Sequence, residues 1–343
     1  MRLLDKLYYR NLKPDLPRII MIEPTNACNL KCFMCDYQKQ FKGARSYLSL
    51  EGFESILSQF PKVEALVFCG LGETLLNKDI VGMVSIAAKR KIPFINLITN
   101  GTLLKEETLT WLIKAGLTRL QISFHSVNAE IASKINGLPP EICDLVRNNI
   151  INAVKIKNKL CSNLCIVVNS VMNIENCDDL FNLIDFCEAN EIDEINFVQL
   201  TTIFGKFDNI NIPKDKARFL MRKVKARHKK SRLKVGFLSS NDAGRCYQLW
   251  NFIMIHADGE ISPCNGIMPH ENINIGNLIR CNISGIWHSD RYIALRKSVI
   301  ENGLRNCKYC EVGYSLEGKN FQWFNNYYLK PLIRNLYHYI RNE

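Results

Sequence analysis

An α/β fold, a parallel sheet covered by helices, is what this 343-residue sequence predicts. β-rich runs of seven or eight residues recur six times, each set off from the next by a segment with apolar residues spaced three and four apart. Regular alternation over roughly 180 residues is the pattern of strands joined by helical crossovers. The residues after the runs are cysteine, glycine, asparagine and histidine, which suits the C-terminal rim where such sheets keep their working groups.

Taken in order, the first strand is 18-RIIMIEP-24, and the helix near 50–60 opens at Ser49 in an S-x-x-G variant of the capping box. The second strand, 64-EALVFCG-70, runs into Gly70-Leu71-Gly72-Glu73 and a helix near 77–91. The third, 93-PFINLIT-99, ends at Thr99-Asn100-Gly101 before a helix near 105–115. The fourth, 118-TRLQISF-124, is followed by His125-Ser126 and a long helix over 139–159. The fifth, 164-LCIVVNSV-171, leads through Met172-Asn173 to a helix near 177–190, for which Asn176 is the cap and Asp178-Asp179 the acidic first turn. The sixth is 194-EINFVQL-200.

Beyond it the pattern changes. The stretch 214-KDKARFLMRKVKARHKKSRLK-234 predicts a solvated basic helix with Phe219, Leu220 and Val224 on its inner face, and after it the α/β rhythm stops. In 252-FIMIHADGEISPC-264 the Asp258-Gly259 pair predicts a hairpin. The aromatic and basic tail 319–343 reads as packing on the body, with a peripheral membrane contact as the alternative.

Composition narrows the class. Hydrophobic residues are 47% and charged residues 23%, which excludes disordered and fibrous chains. The N-terminus has scattered charges and no apolar run of a signal peptide, and no window approaches ~18 uncharged apolar residues. Fourteen cysteines without a signal peptide point to a reducing compartment, the cytoplasm, and to metal or redox chemistry rather than disulfides. A net charge of +12 favours acidic partners without choosing among them; nucleic acid is the less favoured.

The stretch 27-ACNLKCFMC-35 sets Cys28, Cys32 and Cys35 within nine residues. Three thiolates can ligate three irons of a cubane [4Fe–4S] cluster and leave the fourth open, whereas a closed zinc site uses four ligands. A zinc site completed from elsewhere, or unconnected thiols, are the alternatives.

Cys28-x3-Cys32-x2-Cys35 just after the first strand resembles the signature of the radical S-adenosylmethionine (SAM) enzymes. The resemblance implies a partial (β/α)6 TIM-like barrel. It also implies an open iron chelated by the amino and carboxylate groups of SAM, whose reductive cleavage gives methionine and a hydrogen-abstracting 5′-deoxyadenosyl radical. By the same resemblance, the Gly70 and Gly72 backbone with Glu73 would receive the methionyl amino group, although Thr74 stands where a proline is usual. Asn96, Thr99, Asn100, Ser123 and Asn169 fall where family members contact the ribose and carboxylate. For Ser123 and Asn169, ordinary strand-end polarity is an equal alternative. Leu200 and Met34 would contact the adenine.

Cys246, Cys264, Cys307 and Cys310 form a second set, ending in a C-x2-C knuckle that suits zinc or a closed cluster. With the Asp258-Gly259 hairpin, Gly276-Asn277-Leu278, Ile286-Trp287 and Arg296, the set resembles the SPASM auxiliary-cluster domain. No cysteine follows Cys310, which implies the shortened twitch form with one auxiliary [4Fe–4S] cluster. The expected organisation is an N-terminal extension (1–17), a radical SAM partial barrel (18–210), a basic helical linker (211–238), the auxiliary domain (239–315) and a helical tail (316–343).

The implied activity is a cytoplasmic radical SAM oxidoreductase, dehydrogenase-like, in which the auxiliary cluster helps to oxidise the substrate radical and flavodoxin or ferredoxin supplies electrons. His125, or Glu194 or Gln199, would be the general base. Cys69 is the candidate hydrogen-atom donor should the outcome be epimerisation; the other cysteines read as core packing. Only 27 residues precede Cys28, fewer than a leader-peptide recognition domain needs, which tilts the expectation toward a small carbohydrate-like substrate. Peptide crosslinking or epimerisation is the alternative within the class. A non-catalytic zinc-knuckle module binding nucleic acid or protein is the alternative outside it.

Overall fold

The computed structural model describes residues 11–35, 44–200, 209–227, 231–238, 248–264 and 275–301. In chain order these form β1 (Ile19–Ile22), α1 (Leu50–Ser58), β2 (Ala65–Phe68), a 3₁₀ turn (Thr74–Leu76), α2 (Ile80–Lys89), β3 (Phe94–Thr99), α3 (Glu106–Ala115) and β4 (Arg119–Ser123). Then come α4 (Ala129–Asn136), α5 (Pro140–Lys159), β5 (Cys165–Met172), α6 (Leu180–Ala189), β6 (Glu194–Gln199), α7 (Lys214–Arg227) and β7 (Lys234–Leu238). The remainder is α8 (Gln248–Asn251), β8 (Phe252–Ile255), β9 (Ile261–Ser262), α9 (Ile283–Trp287) and α10 (Asp290–Glu301). The strands make one sheet in the order β7-β6-β5-β4-β3-β2-β1-β8-β9, parallel throughout except for the antiparallel pair β8–β9.

All six predicted strands are present within two residues of the expected bounds, because strands of a parallel sheet are apolar on the helix-covered face and rich in β-branched residues. Alternation divides the faces. Ile20, Ile22, Leu66, Phe68, Leu97, Ile122, Val168 and Phe197 are fully buried and belong to the core that the helices share. Each such side chain contributes about 1.5–3 kcal/mol by leaving water. Asn96, Gln121, Ser123, Asn169 and Asn196 occupy the other parity, on the opposite face of the sheet. Ser49 caps α1 as expected, its Oγ accepting the Gly52 N–H at 3.1 Å.

Five features differ from the expectations. Helix α4 was not foreseen; eight residues with three buried side chains are too few to separate from a loop by periodicity. Asn176 does not cap α6, whose N-cap is Asp179. Its amide is instead buried and donates to the carbonyls of His125 (2.9 Å) and Val171 (3.0 Å). On α7, Ala217, Leu220 and Val224 are buried, whereas Phe219 is exposed beneath the Lys223 ammonium, 4.5 Å from its ring centroid. The α/β rhythm does not stop there, because β7 extends the sheet in parallel register beside β6 (Ile195↔Val235, Phe197↔Phe237). Five residues among lysines and arginines hid that strand.

The fifth difference is the largest. The hairpin assigned to a separate domain joins the main sheet, β8 pairing in parallel with β1 (Ile19↔Phe252 to Ile22↔Ile255). Residues 11–15 of the N-terminal extension lie against the same C-terminal elements. Carbonyls of Asn11, Leu12, Pro14 and Asp15 accept bonds from Trp250 Nε1 (2.8 Å), Arg296 Nη1 (2.9 Å), His288 Nε2 (2.8 Å) and Trp287 Nε1 (3.0 Å). The Arg296 guanidinium is fully buried, stacked near Trp287 and Tyr292, and also donates to the carbonyls of Leu249 and Trp287 at 2.9 Å. The tail 316–343 lies outside the described residues.

Arg296→Met takes the donor from three carbonyls, two of them fully buried, so a loss of about 3 kcal/mol or more is expected in chemical denaturation.

Candidate active site

The cysteine loop leaves the C-terminal end of β1, a strand with hydrogen-bonded neighbours on both edges. Its first turn is set by Thr25, whose hydroxyl accepts the Ala27 N–H (3.0 Å) and donates to the Ser46 carbonyl (2.7 Å). Cys28 Sγ accepts the Leu30 N–H at 3.4 Å, and a tight turn from the Cys32 carbonyl to the Cys35 N–H (3.0 Å) brings round the third cysteine. The end of α4 supports the loop: Lys31 N–H reaches the Asn136 carbonyl at 3.3 Å and Phe33 N–H the Ile135 carbonyl at 3.0 Å. All three thiols are half-buried, and burial, with Glu73 and Cys35 nearby, raises the Cys28 pKa above the ordinary thiol value. Met34 is half-buried beside them.

The glycine motif is pressed against this loop. A Cβ on Gly70 would lie 2.3 Å from Glu23 Cγ, and one on Gly72 would lie 2.3 Å from the Thr25 carbonyl oxygen. Only glycine permits that approach. Glu73 N–H then reaches the Ala27 carbonyl at 2.7 Å. The Glu73 carboxylate is buried and held by three donors: Thr99 Oγ1 (2.6 Å) and Leu75 N–H (3.0 Å) on Oε1, and Asn100 N–H (2.7 Å) on Oε2. Burial raises its pKa, against the lowering effect of those bonds. Thr99 therefore orients Glu73, and the Asn100 side chain donates to Asn29 Oδ1 of the cysteine loop at 2.9 Å.

Ser123 and Asn169 are register partners on adjacent strands, and Asn169 is in turn opposite Asn196. Asn169 Oδ1 and Asn196 Oδ1 are both buried without a hydrogen-bond partner. Asn196 was missed from the sequence, although a lone amide at an inward parity of β6 could have marked it. Asn96 stands apart: three residues below Thr99, roughly 10 Å down the strand, it donates to Gln121 on β4. Leu200 is buried just past β6, its carbonyl bonded to Asn211 Nδ2 at 3.1 Å.

His125 is buried, its Nδ1 accepts the Val171 N–H at 3.2 Å, and burial pushes its pKa down to about 4. The ring is neutral with hydrogen on Nε2, so the geometry favours a hydrogen-bond donor over a base. Glu194 starts β6 and is paired with Arg119 Nη2 at 2.9 Å, at the end of the sheet away from the cysteines. Cys69 is half-buried just beyond β2, its pKa pushed up to about 12 by burial first and then by Glu23 and Glu73. Cys264 is half-buried past β9; Cys246, Cys307 and Cys310 lie outside the described residues.

Residues 22–187 match the radical SAM superfamily and residues 246–311 match the SPASM iron–sulfur cluster-binding domain. Two similar curated relatives are PqqA peptide cyclases. That of Rhodopseudomonas palustris is 28% identical over 52% of this chain, and the match spans only 46% of the relative's length. That of Gluconobacter oxydans is 26% identical over 80% of this chain and 77% of its own. A probable GTP 3′,8-cyclase of Methanocaldococcus jannaschii is 29% identical over 72% of this chain and 84% of its own. Among solved structures, Streptococcus suis SuiB bound to precursor peptide SuiA superposes with a TM-score of 0.72, at 18% identity, over 90% of this chain and 72% of that one. This likeness establishes the fold. The chain carries a radical SAM domain followed by a SPASM domain, which imply a [4Fe–4S] cluster with SAM and auxiliary iron–sulfur binding.

The residues present fit the first of these groups. Three cysteines share one anchored loop, and the described residues hold no set of three His, Cys, Asp or Glu arranged around a single ion. Ligands of a cubane bind separate irons and need not converge on a point. The unpartnered Asn169 Oδ1 awaits a donor such as a ribose hydroxyl. No helix among the described residues is long and apolar enough to cross a membrane.

A thiol with so high a pKa stays protonated and unreactive. In the folded apo-protein, Cys69 should resist iodoacetamide at pH 8 and become labelled on unfolding, as read by peptide mass spectrometry.

Proposed function

We propose that this chain is a radical SAM enzyme that abstracts a hydrogen atom from a peptide substrate and forms an oxidised product such as a crosslink. The Gluconobacter PqqA peptide cyclase carries the peptide part of this reading, since that match runs through most of both chains. It displaces the carbohydrate-like substrate expected from the short segment before Cys28.

When bound, the cluster and SAM supply reductive cleavage to methionine and the 5′-deoxyadenosyl radical. Cys28, Cys32 and Cys35 hold the cluster at the end of β1. The Glu73 carboxylate, fixed by Thr99, Leu75 and Asn100, accepts hydrogen bonds from the methionyl ammonium. Ser123 and Asn169 hold the ribose, Asn169 with the oxygen that has no other partner. Leu200 and Met34 cover the adenine. His125 donates from Nε2 to the substrate or to ordered water. Cys69 stays an intact S–H, the form a hydrogen-atom donor requires, so the fold also accommodates an epimerisation outcome. Cys246, Cys264, Cys307 and Cys310 would hold one auxiliary cluster, and a flavodoxin or ferredoxin would deliver electrons in the cytoplasm.

A nucleotide substrate is the second reading, favoured by the match across 84% of the GTP cyclase.

Anaerobic reconstitution with iron and sulfide, followed by dithionite and SAM, should yield near eight irons per chain and 5′-deoxyadenosine. A preparation that takes up only zinc and leaves SAM intact would sink the proposal. Replacing Cys28, Cys32 and Cys35 together by alanine should abolish cleavage, and persistence would show the loop misassigned. GTP that accelerates cleavage and is itself cyclised would replace peptide by nucleotide. Glu73→Gln removes a charge-assisted bond of about 1.5–3 kcal/mol, so calorimetry on the reconstituted protein should read roughly 10- to 100-fold weaker SAM binding.

A further inference from the structure

Two buried ionisable side chains with no part in the scheme above meet across the seam between β1 and β8. Glu23, just past β1, is 2% exposed, and His256, just past β8, is 3% exposed. His256 Nδ1 lies 3.3 Å from Glu23 Oε2, which also accepts the Ala257 N–H at 3.3 Å. The other carboxylate oxygen accepts the N–H of Leu71, in the middle of the glycine motif. On the far side of the ring, His256 Nε2 lies 2.7 Å from Ser262 Oγ on β9.

A carboxylate opposite Nδ1 keeps a hydrogen on that nitrogen, so His256 donates to Glu23 while its Nε2 pairs with the serine hydroxyl. Glu23 is thus held by His256 Nδ1–H and Ala257 N–H on one oxygen and by Leu71 N–H on the other, with Ser262 Oγ bonded to the far side of the imidazole. Two of the three donors to Glu23 come from the C-terminal hairpin, and a buried carboxylate takes its orientation from its donors.

That orientation is felt at the rim. Gly70 leaves no room between the motif backbone and the Glu23 side chain. Two residues past Leu71, Glu73 N–H grips the Ala27 carbonyl, immediately before Cys28. Turning Glu23 therefore shifts the glycine motif, the backbone that carries Glu73, and the root of the cysteine loop.

We infer that His256 is a positioning residue of the SAM site, supplied by the C-terminal hairpin and acting through Glu23. This rests on the reading that the rim binds SAM. SAM affinity is then set partly by the docking of the hairpin that bears Cys264.

The test uses full-length, anaerobically reconstituted protein and three readouts: iron per chain, the SAM dissociation constant by calorimetry, and the change in the reduced cluster's electron paramagnetic resonance spectrum on titrating SAM. His256→Ala is expected to keep its iron and to bind SAM about tenfold more weakly, the scale of lost outer-shell hydrogen bonds. Glu23→Gln should weaken binding in the same direction. The double variant should be no weaker than the weaker single one, because both changes break one chain of bonds. His256→Gln, which can offer an amide N–H to Glu23, should recover part of the loss, and Ser262→Ala should cost about threefold. If His256→Ala does not fold, the Gln and Ser262 variants carry the test.

SAM binding by these variants equal to wild type, or losses that add fully in the double variant, would overturn the inference while leaving the proposed function intact. A wild-type protein that reconstitutes but does not bind SAM would remove both.

Discussion

The cysteine loop is steady only because β1 is not an edge. Its four residues are bonded in register to β2 on one side and to β8 on the other, so the loop grows from a strand whose last residue, Ile22, is fixed at both flanks. An edge strand would present unpaired backbone groups at that point and fray with its loop. The hairpin of the C-terminal region is thus part of the platform, and the thiols, the glycine motif and Glu73 are placed relative to it.

Buried polarity in this molecule is concentrated where elements from distant parts of the chain meet. Glu73 joins β2 to β3, Arg119 joins β4 to β6, Glu23 joins β1 to the C-terminal hairpin, and Arg296 joins the N-terminal extension to α8 and α9. Each is held by two or more partners, as burying a polar group requires. Apolar packing fixes the layers of the sheet and its helices. The polar groups fix which end of which strand faces which loop, and so specify a site rather than merely a core.

How far this was legible in the sequence depended on range. The six strands and the rim residues followed from local alternation, and the three-cysteine loop from its spacing. The sheet positions of β7 and β8 are not legible locally because pairing is non-local: nothing within 234–238 says it lies beside 194–198, nor within 252–255 that it lies beside 19–22. The acidic neighbours of Asn176 predict a cap, yet two carbonyls at the β4 and β5 ends recruit its amide. Glu23 and His256, 233 positions apart, carry no local signal of their meeting. Only the fold brings them to the rim.

The bonds that hold the N-terminal extension have a temporal meaning. Residues 11–15 accept them from side chains 239 to 284 positions later in the chain. β1 likewise receives its second neighbour from residues 252–255. On a ribosome these partners do not yet exist when β1 through β6 have emerged, and closing loops of such length is slow. The cysteine loop is then flanked on one side only until residues 252–255 have been made, so it takes its final setting when β8 has sealed the seam.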